Sequence, residues 1–178
     1  MIGRALEPTV TERIHLAMAG DEQAFAWIVE TFTADMAQVS YVVCGDLDLA
    51  DEAVAATWPI VWRKLGTLRE PERLRPWLVA IAANQARQLA RARRRRAVRE
   101  VPVDEAGNSG RSFDRSAEID LANALARLSL DDRALLALRY VAGFDSFELA
   151  KATGLSPSGT RARLAKLLGR MRLELRDG

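Results

Sequence analysis

One cysteine, Cys44, and one histidine, His15, are all that this 178-residue chain has of the side chains that most often build disulfides, metal cages and acid–base pairs. A lone cysteine excludes an internal disulfide and a cysteine-based metal cage. Lying in the apolar run SYVVC, Cys44 reads as a small core residue. His15 falls in a short N-terminal helical stretch and reads as a surface residue rather than a general base. There is no glycine-rich phosphate loop, no nucleophile elbow and no metal-ligand spacing. Asp48, Asp51 and Glu52 cluster, but with no histidine or second carboxylate group near them they read as a charged helix start. An enzyme is therefore not expected, nor is a cofactor. No apolar run approaches the roughly 18–20 residues of a membrane helix. The opening MIGRALEPTVTER lacks the apolar centre of a signal peptide. The chain is read as cytosolic, without membrane insertion.

The net charge is only +2, but its distribution along the chain is uneven. Residues 1–60 carry ten acidic and two basic side chains, and residues 61–99 carry two and twelve. Residues 100–132 turn acidic again, and 133–178 basic again. Two basic blocks set apart by acidic ones point to two separate contacts with a polyanion. The acidic first block points to a different partner, such as a basic protein surface.

Strand signals are nearly absent, and the chain reads as all-α. Thr11–Gly20 is a short helix, and Asp21 caps a longer one to about Cys44 that turns Phe25, Ile28, Val29, Phe32, Met36 and Val39 inward. Asp48 or Asp51 starts the next helix, with Val54, Trp58, Val61, Trp62 and Leu65 at helical spacing and a kink expected at Pro59. After the polar loop GTLREPERLRP, Trp77 opens a helix that runs into RARRRR. Residues 100–117 are rich in Gly, Ser, Asn, Asp and Pro and read as a flexible linker. The expected division is a domain over 1–99, the linker, and a second small helical domain over 118–178. Ser129 is expected to cap LDDRALLALRYV, with Asp131 and Asp132 at its positive end.

The most informative stretch is Ser146–Arg176. Ser146 is read as the cap of a short helix, Gly154 as its left-handed stop, Ser156 as a second cap and Pro157 as the first residue of a second, basic helix. That is the layout of a helix-turn-helix whose second helix enters the DNA major groove. In that second helix Leu164, Leu167 or Leu168, Met171 and Leu175 form an apolar face, and Arg163, Lys166 and Arg170 a basic one. Arg161 sits one turn in, where recognition helices reach base edges.

The other basic block holds seven arginines between residues 87 and 99. Five in six positions, from Arg91 to Arg96, repel one another unless an anion such as backbone phosphate neutralises them. The helix feeding the run presents Asn84, Gln85 and Gln88, side chains able to read base edges. Trp77 and the loop before it suit unpaired bases; an equally open reading puts Trp77 in the core.

On these residues the chain resembles the extracytoplasmic-function, or group IV, sigma factors of the sigma-70 family, from Asp21 to Arg176. DLADEAVAATWPIVWRKL resembles the region 2 helix that binds the clamp helices of RNA polymerase. LRPWLVAIAANQARQLARARRRR resembles the −10 promoter reader, with the signature residues Trp77, Leu78, Ile81, Ala82 and Asn84. LARLSLDDRALLALRYVAGFDSFELAKATGLSPSGTRARLAKLLGRMR resembles region 4, the −35 reader. The resemblance implies a non-enzymatic alternative sigma factor with core RNA polymerase and promoter DNA as partners, and an anti-sigma factor as a common further one. Polymerase would be met by Asp48, Asp51, Glu52, Trp58, Val61, Trp62 and Leu65. The −10 element would be met by Trp77, Asn84, Arg87, Gln88, Arg91, Arg94 and Arg95, with the 66–76 loop taking an unpaired base. The −35 element would be met by Ser156, Ser158, Thr160, Arg161, Arg163 and Lys166.

The chain departs from the family pattern in four places. Ala55-Ala56 stands where a Gln-Glu pair is usual, Pro59 is unusual, Gln88 replaces a frequent Asp, and Ser158, Gly159 and Thr160 stand where Gly-Thr-Val is common. Two other readings stay open on the sequence: a dimeric helix-turn-helix regulator with no polymerase contact, and a degenerate sigma-like protein that binds polymerase without starting transcription.

Overall fold

In the computed structural model, residues 8–99 and 115–175 are described. All regular structure among them is helical. The order is α1 (Val10–Met18), α2 (Glu22–Cys44), α3 (Leu47–Lys64), α4 (Leu74–Arg99), α5 (Arg115–Ala126), α6 (Leu130–Leu136), α7 (Ser146–Thr153) and α8 (Pro157–Glu174). Short 3-10 turns at Leu65–Thr67 and Pro71–Arg73 lead into α4, and a π-helical segment, Ala137–Val141, extends α6. Most of the expected linker, residues 100–114, lies outside the described residues, and its last three residues, 115–117, belong to α5.

Local chemistry sets most boundaries. Thr9 and Glu12 form a reciprocal capping box at α1, with the Thr9 hydroxyl accepting from the Glu12 N–H and the Glu12 carboxylate from the Thr9 N–H. Asp21 caps α2 by accepting from the Ala24 N–H at 2.7 Å. Gly45 ends that helix at φ 71°, a conformation that costs a side-chain-bearing residue energy. The cap of α3 is Asp46, two residues before the earlier expected start, accepting from the Leu49 N–H. α4 begins at Leu74 rather than Trp77, because Pro76 falls in the first turn, where its missing N–H breaks no helical bond.

α3 runs through Pro59 as one helix. The proline leaves the Ala55 carbonyl without its usual helical donor, at a point where Ala55 and Pro59 both face solvent.

α2, α3 and α4 pack against one another, with α1 across the end of α2. Ile28, Met36, Val39 and Val43 of α2 meet Val61 of α3 and Leu78 and Val79 of α4, all essentially inaccessible to water. The second unit, α5 to α8, does not stand apart. α6 sits against α2 and α4, the π segment against α2, and the apolar core continues through Leu135, Leu138 and Phe144 to Leu149 of α7 and Leu164 of α8. Arg133 lies in this seam at 5% exposure, donating to the Ala126 carbonyl at 2.6 Å and the Val43 carbonyl at 3.4 Å. Burial pushes its guanidinium below the usual arginine range.

Candidate nucleic-acid and partner surfaces

α4 carries the first basic surface. Its apolar side, Leu78, Val79, Ala82, Ala83, Ala86 and Ala90, is locked into the core and fixes which residues face outward. Gln88, Arg91, Arg94 and Arg95 are exposed, and Asn84 and Arg87 are half-buried. Asn84 accepts from Arg87 Nη2 at 2.9 Å, so the two act as one unit. Arg87 Nη1 and Arg91 Nη2 both donate to the Asp131 carboxylate of α6, at 2.9 and 2.7 Å. Arg93 turns the other way to Asp46 at 2.6 Å. The Leu49 N–H, and after it Arg93, hold the Asp46 carboxyl below the usual range. Trp77 is half-buried and packs on the core, yet lines an open cleft of about 590 Å³ between the units. Arg69, Arg73 and Pro76 stand on one side of that cleft, and Phe144, Glu148 and Lys151 on the other.

α7 and α8 form the second basic surface. The cap of α7 is Asp145, not Ser146: it accepts from the N–H groups of Phe147 and Glu148, both at 2.8 Å, and Glu148 accepts back from the Asp145 N–H. These two backbone donors, Glu148 first, hold the Asp145 carboxyl low. Gly154, at φ 74°, makes the turn. Ser156 caps α8 by accepting from the Gly159 N–H at 3.0 Å. A Cβ on residue 159 would lie 3.0 Å from that hydroxyl, a tight contact that a small shift of the Ser156 side chain would relieve. Ser158, Arg161 and Lys166 are exposed, and Arg163 donates to Asp132 at 2.7 Å. Thr160 differs from the exposed residues around it: it is fully buried beneath α8, with Leu164 and Leu167.

α3 carries an acidic and aromatic surface. Asp48, Asp51 and Glu52 are exposed in its first turns. Trp58 and Trp62 pack edge-on to Phe25, with ring centres 5.9 and 4.7 Å away, and Trp62 remains 43% exposed. Val61 and Leu65, expected on this surface, are instead fully buried against the bundle core. Asp48 and Glu52 also line a cleft of about 380 Å³ with Leu89, Arg93 and Arg96 of α4. Among the described residues no group of three or more His, Cys, Asp or Glu is placed to hold a metal ion, and no helix is long and apolar enough to cross a membrane.

The side chains that sequence reasoning missed are Asp131 and Asp132. They were read as helix-end charges, and nothing local marks the arginines of α4 and α8 as their partners.

Residues 28–96 match the family model for sigma-70 region 2, which spans α2 to α4. The RNA polymerase sigma factor CarQ of Myxococcus xanthus is 34% identical over 71% of this chain and 79% of its own length. The chain belongs to the sigma-70 family of RNA polymerase sigma factors. It is an alternative sigma factor acting in transcription initiation, and not an enzyme. The sigma factor NccH of Alcaligenes xylosoxydans xylosoxydans is 28% identical over 90% of this chain and 91% of its own. The probable sigma factor RfaY of Xanthomonas campestris pv. campestris is 26% identical over 89% of this chain, which spans only 42% of that relative. Among solved structures, CnrH in complex with the cytosolic domain of CnrY superposes with a TM-score of 0.68 at 22% identity, over 94% of this chain and 97% of that one. The sigma factor RpoE of Bartonella quintana, bound to the anti-sigma factor NepR, gives 0.71 at 21%, over 86% and 98%. At these identities the two structures establish the fold.

Proposed function

We propose that this sigma factor docks on core RNA polymerase through α3, reads the −10 element with α4 and the loop before it, and reads the −35 element with α8. The observation that carries the reading is the segregation of surfaces on a single bundle. α3 exposes Asp48, Asp51, Glu52 and Trp62, while the outer side of α4 exposes Gln88, Arg91, Arg94 and Arg95. Acidic groups suit a protein partner with basic character, and clustered guanidiniums suit phosphate. Trp58 joins the docking surface at its half-buried edge. Trp77 and the 66–76 loop line a cleft large enough for one unpaired base, and Asn84, Arg87 and Arg91 lie along α4 to hold the adjacent strand. Ser156, Ser158, Arg161, Arg163 and Lys166 would fix the −35 duplex. Residues 1–99 and 118–178 would then act as two binding units, each weak alone and effective when polymerase sets their spacing. Promoter DNA and core polymerase place the working protein in the cytoplasm. An anti-sigma factor is a further partner, as for the RpoE neighbour.

Run-off transcription with core polymerase on promoter DNA from the same genome tests this. Transcripts should depend on the chain. Trp62→Asp or Asp51→Arg should abolish them, with loss of co-elution with polymerase. Polymerase binding without transcripts would refute an initiating role, and full activity of both variants would remove α3 as the docking surface.

A further inference from the structure

We propose that Asp132 is a positioning residue for the −35 contact: it holds Arg163 from the side, so that the end of the guanidinium is presented to a backbone phosphate. This rests on the reading of α8 as the −35 reader. Arg163 Nε donates to Asp132 Oδ1 at 2.7 Å, from α8 across to α6. Among the described residues neither Nη of Arg163 has a hydrogen-bond partner. A guanidinium is planar and carries its N–H donors in a fixed fork. With Nε engaged its plane is set, and the two terminal nitrogens stay free for a bidentate bond to an anionic oxygen pair.

The start of α6 makes Asp132 a fixed support. It is the third residue of that helix, where an acid usually folds back onto the N-cap backbone N–H. Here Oδ2 instead accepts from the Ser129 hydroxyl at 2.7 Å, and that hydroxyl accepts from the Asp132 N–H at 3.1 Å. Both carboxylate oxygens are thus occupied, one by the cap and one by Arg163. The Asp132 side chain is 14% exposed and that of Arg163 40%, so the pair is anchored at its inner end and open at its outer one. An arginine already held has less rotamer freedom to lose on binding DNA. Its place on α8 selects phosphate over a base edge. Thr160, Leu164 and Leu167 mark the buried line of the helix, Ser158, Ala162 and Ala165 an exposed one, and Arg163 lies between them. When the exposed line seats in the major groove, a side chain at its border meets the groove wall, where the phosphates are.

The test uses holoenzyme reconstituted from the full chain and core polymerase. The probe is a fluorescein-labelled duplex from a promoter that gives run-off transcripts, cut upstream of the −10 element and read by anisotropy across a salt series. Arg163→Gln should bind about tenfold more weakly, with a log–log salt slope shallower by about 1, and the loss should be the same on a duplex with scrambled −35 bases. Asp132→Ala should bind about fivefold more weakly, although removing a negative charge by itself favours DNA. Asp120→Ala, at an exposed acid of α5, measures that charge effect alone and should bind as well or slightly tighter. The two losses should not add: in the Arg163→Gln background Asp132→Ala should cost less than about twofold. Asp132→Asn keeps an acceptor for Nε and should recover most of the affinity, and it stands in for Asp132→Ala should alanine unfold the start of α6. An equal loss from Asp132→Ala in both backgrounds leaves Asp132 a helix cap only and overturns the proposal. An unchanged salt slope in Arg163→Gln makes Arg163 a strut between helices and overturns it too, and a loss confined to the unscrambled duplex replaces the phosphate by a base. Arg161→Gln, at an exposed position of α8, checks the underlying reading: if it and Arg163→Gln both leave binding unchanged, α8 is not the −35 reader and the positioning role falls with it.

Discussion

Replacing Thr160 by Val separates a base-reading role from a packing role within one side chain. Thr160 is wholly buried, and its Oγ1 has no hydrogen-bond partner. An unsatisfied buried hydroxyl costs about 1–3 kcal/mol. Valine keeps the β-branched shape and exchanges the hydroxyl for a methyl, and the two residues have nearly equal helix propensity. The expected net gain is about 1–2 kcal/mol, which for a chain of this size raises Tm by about 3–6 °C. A side chain under the helix makes no base contact, so run-off transcription by the reconstituted holoenzyme should change less than about twofold. A lost base contact would instead cost about 1–3 kcal/mol, or roughly 5- to 150-fold. A thermal melt followed by circular dichroism and a transcription titration give the two numbers. A lower Tm would refute the unpaired hydroxyl, and a tenfold loss of transcription at unchanged stability would refute the placement of Thr160 away from DNA.

Leu149→Ala, at a fully buried position of α7, should destabilise the second unit by about 2–5 kcal/mol, seen as a lower urea midpoint. Gly154→Ala should cost about 1–2 kcal/mol from backbone strain alone, because an added Cβ meets nothing within 4 Å; Gly154→Asn should cost less. Asp46 and Asp145 both have carboxyls held below their unfolded values, so the unfolded chain takes up their protons first. Their contribution is complete above about pH 5 and is lost as pH falls below about 4 toward the lower folded values. Tm measured against pH should be flat above that window and fall within it, with a shallower fall in Asp46→Asn and Asp145→Asn.

Elements whose boundaries depend on a few adjacent residues were legible in the chain. Asp21, Ser129, Ser156 and Gly154 take the roles their types and spacings foretold. The cap of α7 was legible too, since Asp145 and Glu148 have capping-box spacing, a stronger signal than Ser146 alone. Which face of a helix is buried was harder to read. α3 carries apolar residues around much of its circumference, and spacing alone did not separate exposed Trp62 from buried Val61 and Leu65. Thr160 was drawn toward DNA by the resemblance, although its position three and four residues before Arg163 and Leu164 gives no unique face. The partner of Arg87 and Arg91 lay beyond sequence reasoning: Asp131 is 40 residues past Arg91, and its placement follows from how α6 seats on α2 and α4.

Arg133 has a consequence for what happens when the two units part. Its guanidinium rests on the carbonyls of Val43 and Ala126, with Nε unpartnered, at a seam that continues the apolar core. A joint made only of leucine would expose oil on both sides when opened, and would tend to stick to whatever it met. Here opening returns a cation and the Val43 carbonyl to water, which solvates them and meets the unpartnered Nε donor, while the bond to Ala126 stays within the second unit. The seam is therefore a wettable joint: apolar packing aligns the two units in the resting molecule, and a polar centre lowers the cost of exposing it.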